Sequence, residues 1–337
     1  MARMVSGIAT PHAPQLRLPF EGWIALKEKD ETDTRIDFEA LRRAAKAGIE
    51  HEVSEARMQA RFDACQTQLR ALGDRLRAAE PDVIVILGDD QHEQFHGGNM
   101  PMFCVYHGDE VAMVPRSGAR GKKRSGSGAW SAPRLEALQA AADDALEGPR
   151  RRPAARALGE HLIAALRDDD FDVAASNALR PEAGLGHAFA FLYQRLLPGT
   201  EVPIVPVMIN TFFPPNQPTP RRCYALGQAL RRAIEAWPDD KRVAIVASGG
   251  LSHTIIDEDI DHRTLDAILA KDGDALTALP RERLTLGTSE ILNWVAAAGA
   301  MAEMDAQAVG DYIPAYRTVA GTGCGMAFVH WVPAAVL

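Results

Sequence analysis

The sequence predicts an α/β protein: a single large domain with a central, mostly parallel sheet flanked by helices, plus a surface insertion. Three observations predict it. Apolar runs rich in β-branched residues, Val83-Ile84-Val85-Ile86-Leu87 above all, have the pattern of strands buried on both faces of a parallel sheet. Stretches of helical period alternate with these runs. Several of the runs end in a loop rich in Gly, Asp or Pro, where open α/β sheets carry their functional groups.

Taken in order, Val5-Ser6-Gly7-Ile8-Ala9 is expected to form the first strand. It ends in Thr10-Pro11-His12-Ala13-Pro14, where two prolines exclude regular structure and hold His12 on a rigid loop. From Asp37 to Glu80, apolar residues at helical spacing (Leu41, Ala44, Ala45; then Phe62, Leu69, Leu72, Leu76) predict two helices, the second stopped by Pro81. The run to Leu87 breaks into Gly88-Asp89-Asp90-Gln91-His92. Residues 108–153 differ in composition. They hold the run Gly121-Lys122-Lys123-Arg124-Ser125-Gly126-Ser127-Gly128, a helix to about Leu146, and Arg150-Arg151-Arg152. This segment reads as an insertion, either a solvated excursion or a lid near the site.

A helix from about Ala154 to Leu166 and a strand at Phe171-Asp172-Val173-Ala174-Ala175 follow. The alternation Val202, Ile204, Val205, Val207, Ile209 predicts another buried strand, leading into a proline-rich loop with Phe212 and Phe213. A helix from about Pro220 to Trp237 precedes the strand Arg242-Val243-Ala244-Ile245-Val246-Ala247-Ser248. That strand breaks at Gly249-Gly250 before Leu251-Ser252-His253. Helices are expected from about Arg263 to Leu279 and from Ser289 to Ala300. There is no internal repeat and no heptad pattern.

The chain has 337 residues, 47% hydrophobic and 24% charged, enough to bury a core without disulfides or a structural metal and outside the disordered class. Its 37 Lys and Arg against 45 Asp and Glu leave a net charge of −8, which excludes nucleic acid as the main partner. Four cysteines without a CxxC pair imply a reducing compartment, hence the cytoplasm. Met1 to Pro14 lacks a secretory pattern, and no apolar run reaches 18 residues, so no membrane association is expected.

Histidines stand out. His12, His92 and His253 each follow a strand end or a Gly-rich turn, and His187 opens a helix after Gly184-Leu185-Gly186. Strand ends of one sheet converge in space. Two neutral imidazoles and one carboxylate on one face of an octahedral Fe(II) leave three positions for substrate and dioxygen. His12 and His92 supply the imidazoles on this reading. The carboxylate is Asp89, Asp90, Glu93 or a distant residue, and spacing does not decide among them. His51, His96, His107, His161, His262 and His330 are expected to be ordinary. Ser252 lies outside any G-x-S-x-G elbow, and Gly321-Thr322-Gly323-Cys324-Gly325 reads as a tight turn near the site, not a phosphate loop.

Seven ordered segments resemble the catalytic chain of the class III (type II, protocatechuate 4,5-dioxygenase-like) extradiol ring-cleavage dioxygenases. They are Ser6 to His12, Gly88 to His92, Asn210 to Pro215, Arg222 to Gly227, Gly249 to His253, Ser289-Glu290-Ile291-Leu292-Asn293-Trp294 and Tyr312 to Ala315. The resemblance implies Fe(II) held by His12, His92 and Glu290, with His253 as the acid/base group and His187 near the substrate. It implies a catechol- or gallate-type aromatic substrate, carboxylated and in some branches O-methylated, opened with O2. One departure stands in the motif itself: the family's second histidine directly follows an acidic residue, whereas here Gln91 intervenes after Asp89-Asp90. Length and a built-in insertion make the chain most similar to the single-chain methylgallate and lignin-biphenyl branches. A homo-oligomer, a dimer, is expected, with a separate small accessory subunit still allowed. Phe213 and Tyr312 are candidates to line an aromatic pocket, and Arg317 or Arg222 to meet a substrate carboxylate. The rival readings are a non-enzymatic metal-binding or signalling relative on the same scaffold, and a metal-dependent hydrolase.

Overall fold

Eight strands form the central sheet of the computed structural model, which describes residues 1–34, 36–114, 133–144 and 150–334. In chain order they are β1 (Arg3–Thr10), β2 (Val83–Asp89), β3 (Phe103–Tyr106), β6 (Ala174–Ser176), β7 (Ile204–Ile209), β8 (Arg242–Ser248), β10 (Met304–Ala308) and β13 (Val329–Pro333). A two-stranded ribbon joins β4 (Glu110–Met113) to β5 (Arg150–Pro153). A three-stranded sheet holds β9 (His253–Ile255), β11 (Ile313–Tyr316) and β12 (Thr322–Met326).

The spatial order of the main sheet is β10-β13-β1-β8-β2-β7-β3-β6. The four central strands run parallel, with Thr10 level with Ser248, Leu87 with Ala247 and Asp89 with Ile209. Their carboxyl ends therefore lie along one edge. β13 pairs antiparallel with β1 and β10, and β3 antiparallel with β7, so the flanks are mixed.

Strand alternation divides the core. Val83, Val85 and Leu87 of β2 point to one face with Val205, Val207 and Ile209, while Ile84 and Ile86 point to the other with Ile204 and Met208. Every residue of β2 is buried, which is the environment a run without polar alternation demands. The first face is covered by the helices Arg156–Asp168, Pro220–Ala236 and Ile291–Ala300. The second is covered by Glu55–Ala78 and the Phe189–Leu196 region. The helices Pro220–Ala236 and Ile291–Ala300 cross closely enough that a Cβ at Gly227 would collide with the Ala296 carbonyl.

Several expectations shift. The two helices expected in 37–80 are present as Phe38–Ala44 and Glu55–Ala78, with the short helix Ile49–Glu52 added between them; the helix Phe20–Glu31 was not foreseen. The strand expected at 171–175 is the short edge strand β6. The expected helix 263–279 is two, Glu258–Leu269 and Gly273–Thr277, separated where Lys271 takes a left-handed backbone and Asp272 caps the second. Gly321 forms a left-handed turn as expected, but Thr322 onward is strand β12. The basic Gly/Ser run of the insertion lies outside the described residues. Its described flanks are β4 and β5, paired from Glu110↔Pro153 to Met113↔Arg150, and the helix Pro133–Asp144, which rests on Leu18, Ala25 and Leu26. Among the described residues no helix is long and apolar enough to cross a membrane.

Candidate active site

The carboxyl edge of the parallel strands gathers the titratable side chains. β1 delivers His12, β2 delivers Asp89, and β8 leads through Gly249-Gly250 to His253. Glu290 comes from the 3-10 turn Leu286–Glu290 that starts the helix Ile291–Ala300. His187 opens the short helix His187–Phe191 after Gly186.

His12 is buried between Pro11 and Pro14, with Nδ1 3.2 Å from the Ser248 hydroxyl. That hydroxyl donates its one proton to the Ala188 carbonyl at 2.6 Å. It can only accept from His12, so Nδ1 carries the proton and Nε2 keeps a bare lone pair. Burial pushes the imidazole down to about 3, against the pull of Glu290, so the ring is neutral at neutral pH. Its Nε2 lies 3.4 Å from Glu290 Oε2 and 3.8 Å from Asp89 Oδ1. The His187 ring meets it edge-on, centroids 4.5 Å apart.

Glu290 is fixed from three sides. Its Oε2 accepts the Gly250 amide at 2.7 Å, and Oε1 accepts His253 Nε2 at 3.1 Å and Gln91 Nε2 at 3.3 Å. Burial alone would raise this carboxyl, but His253, His12 and the Gly250 amide hold it well below the usual carboxylate range. His253 donates Nδ1–H to the Leu251 carbonyl at 2.8 Å. Both ring nitrogens are thus donors in this arrangement. Burial opposes that charge, and Glu290 outweighs it and raises the pKa above 6.5. Gly287 makes room for the ring, since any Cβ there would overlap it. Trp294 Nε1 pins the turn by donating to the Gly249 carbonyl at 2.7 Å.

His187 leans on Glu93, whose Oε1 accepts both its backbone N–H and its Nδ1 at 2.9 Å. Burial disfavours charge on His187, but Glu93, then Asp89 and Glu290, raise it to about 9. Asp90 accepts the amides of Gln94 (2.8 Å) and Phe95 (3.1 Å) and so shapes the loop itself. Asp89 is fully buried, and burial, with Glu290 nearby, pushes its carboxyl up to about 8.

The structure therefore brings together His12, His187, His253, Glu290 and Asp89. His92 does not join them. It is exposed with a left-handed backbone, φ 61°, and its ring stacks on Phe213 at 3.8 Å and 11°. The physical reason is the extra residue in the loop: Gln91 takes the inward direction and reaches Glu290, and the next side chain is turned away. Phe213 is held where it meets His92 by Asn210, whose side chain bonds its backbone N–H and carbonyl.

Two pocket candidates are engaged elsewhere. Tyr312 donates to Asp261 at 2.7 Å, and Asp261 also accepts the Ser252 amide and hydroxyl, so the tyrosine braces the turn behind His253. Arg317, the candidate for a substrate carboxylate contact, is engaged with Asp30 and Gln15. It is buried, donating Nε–H to Asp30 at 2.7 Å and Nη1–H to Gln15 at 2.8 Å, an ion pair between segments nearly 300 positions apart that no local pattern reveals. Arg222 stacks on Phe171, 3.8 Å from its centroid. Ser248 and Gly287 were missed by sequence reasoning. Their one signal is adjacency, to the Gly249-Gly250 break and to Glu290.

Residues 48–327 match the family described as the catalytic LigB subunit of aromatic ring-opening dioxygenase. The chain belongs to this family. Among LigB-like relatives, gallate dioxygenase of Pseudomonas putida is 36% identical over 179 residues, 49% of this chain and 51% of that protein. A 2,3-dihydroxyphenylpropionate/2,3-dihydroxicinnamic acid 1,2-dioxygenase of Cupriavidus necator is 32% identical over 183 residues, 54% of this chain and 47% of that protein. The counterpart from Burkholderia vietnamiensis is 28% identical over 184 residues, 55% and 47%. These matches span about half the length of each relative. The LigB match runs from before the helix Glu55–Ala78 through β12, and so takes in every site residue named above except His12.

Proposed function

We propose that the chain is an Fe(II)-dependent extradiol dioxygenase that opens a catechol- or gallate-type ring with O2. The observation that carries this reading is one cluster: a neutral His12 with a bare Nε2, the carboxylate of Glu290, and the donor histidine His253, all at the carboxyl edge of a parallel sheet. Membership of the LigB family supports it. The named relatives act on gallate or on 2,3-dihydroxyphenylpropionate, both anions bearing adjacent ring hydroxyls, and such a diol is the substrate class proposed.

The donor chemistry fits a divalent metal. His12 offers an imidazole nitrogen with its tautomer already set, Glu290 offers a carboxylate kept ionised, and buried carboxylate oxygens at the end of β2 complete a nitrogen–oxygen set suited to iron. When bound, Fe(II) supplies coordination positions for the two diol oxygens and for dioxygen and passes charge between them.

The protein's own part is positioning and proton transfer. His253 is anchored through Nδ1, so Nε2 is the atom that exchanges a proton. Glu290 beside Nε2 raises its pKa, and once that proton is passed on the same nitrogen can take a phenolic proton and return it. His187, edge-on to His12 and held through Nδ1 by Glu93, turns its other ring nitrogen to the same cluster. Phe213 with His92 forms an aromatic wall at the open side.

The test is oxygen uptake by anaerobically Fe(II)-loaded protein against gallate, 3-O-methylgallate, protocatechuate and 2,3-dihydroxyphenylpropionate, with product absorbance recorded. One O2 consumed per ring opened is expected with at least one of them. Hydrolysis without oxygen uptake, or no turnover of any diol, overturns the reading.

A further inference from the structure

We propose that Asp89 ligates the metal, with His187 in reach beside it, and that His92 does not. The proposal rests on the reading that this site holds a divalent metal.

Asp89 closes a strand whose seven residues are all buried, and its own exposure is 0%. A buried carboxylate costs several kcal/mol unless something meets its charge. Among the described residues neither Oδ1 nor Oδ2 has a hydrogen-bond partner. Its neighbours differ in this respect: Asp90 is occupied by the Gln94 and Phe95 amides, and Glu93 receives both donors of His187. Asp89 is thus the carboxylate at this strand end left directed at His12 Nε2, 3.8 Å from Oδ1.

The spacing is that of a ligand set. One donor atom each from His12, Asp89 and His187 lies within 4.8 Å of the others, and Glu290 Oε2 is 3.4 Å from the same His12 Nε2. Around an octahedral ion with bonds of about 2.1 Å, donor atoms sit roughly 3 Å apart when adjacent and 4.2 Å when opposite, so side-chain shifts on the order of an ångström bring the groups to ligand distances. His12 turns a bare Nε2 inward because Ser248 holds its Nδ1–H, and Glu93 holds Nδ1 of His187 in the same way, which points its Nε2 at the set. His92 is placed differently. It follows Gln91 in a left-handed conformation, is exposed, and lies flat on Phe213.

The experiment measures metal, not turnover. Anaerobic titration calorimetry with Fe(II), and with Co(II) followed by its visible absorption, is applied to the full chain as wild type, Asp89→Asn and His92→Ala. Asp89→Asn keeps the side-chain shape and breaks no hydrogen bond of the metal-free protein, so the metal-free variant is expected to fold and to melt close to wild type. Its affinity is expected to fall by about 100-fold or more, with a changed Co(II) spectrum, while His92→Ala stays within about twofold. Unchanged affinity and spectrum in Asp89→Asn, or loss of binding in His92→Ala, overturns the proposal. Because no oxygen is involved, its failure is separate from that of the dioxygenase reading: a chain that binds iron through Asp89 yet opens no diol would sink only the latter.

Discussion

The hydroxyl of Ser248 has one proton, and the direction of that proton decides which nitrogen of His12 is available. Protonation at His187 and His253 follows the same logic: a carboxylate or a carbonyl fixes Nδ1 and leaves Nε2 to act. His253 is the sharpest case, since Leu251 holds Nδ1 and Glu290 faces Nε2. His253→Ala is expected to lower kcat by about 10² to 10⁴ while metal affinity is retained. Gly287→Ala, which drives a methyl into the same ring, is expected to show a smaller loss of kcat with the same retained affinity. Steady-state kinetics beside metal titration checks both. A loss of metal in either variant would place His253 among the ligands.

Elements fix where these residues stand. Arg317, next to β11, ties the Pro14–Arg17 turn and the helix Phe20–Glu31 to the small sheet through Gln15 and Asp30. Arg317→Ala leaves the buried Asp30 without its hydrogen-bonded partner and with only Lys29, 3.6 Å away, facing its charge, and a cost of about 3 kcal/mol is expected in denaturant unfolding. Restoring the loss by adding Asp30→Leu would show that the stranded charge, not the missing side chain, is the cause. Legibility in the sequence follows the same division. Val83 to Leu87 and Val243 to Ala247 are readable because strands buried on both faces admit only apolar residues. β10 (Met304–Ala308) and β12 (Thr322–Met326) were not, since Ala, Gln, Gly and Asp there owe their conformation to neighbours such as β13 and β9. His12 and His253 are readable from their place at breaks in the chain, whereas Glu290 is readable only through the family resemblance, since spacing leaves the carboxylate open. The outward turn of His92 is not, because it depends on which of two adjacent side chains wins the inward position.

At the scale of the whole molecule, folding gathers Asp89, Glu93 and Glu290 at one edge of a sheet, against the hydration each carboxylate prefers. A divalent ion that binds only this arrangement stabilises the fold by mass action, by about 2.7 kcal/mol at a concentration near 100 times its Kd. An anaerobic thermal melt is therefore expected to rise by several degrees with Fe(II) and to return to its starting value with a chelator; an unchanged Tm under saturating metal would refute the coupling. The ribbon β4–β5 has a different reach. Met113 and Arg150 are directly paired at one end of the ribbon, outside the eight-stranded sheet, and of the residues between them the helix Pro133–Asp144 rests on Leu18, Ala25 and Leu26. Loop-closure entropy grows only with the logarithm of length, so what lies between two clasped ends is nearly free to lengthen, shrink or be exchanged. The ribbon is in that sense a socket: a place where one scaffold can exchange a segment without shifting the strand ends that carry His12, Asp89 and His253.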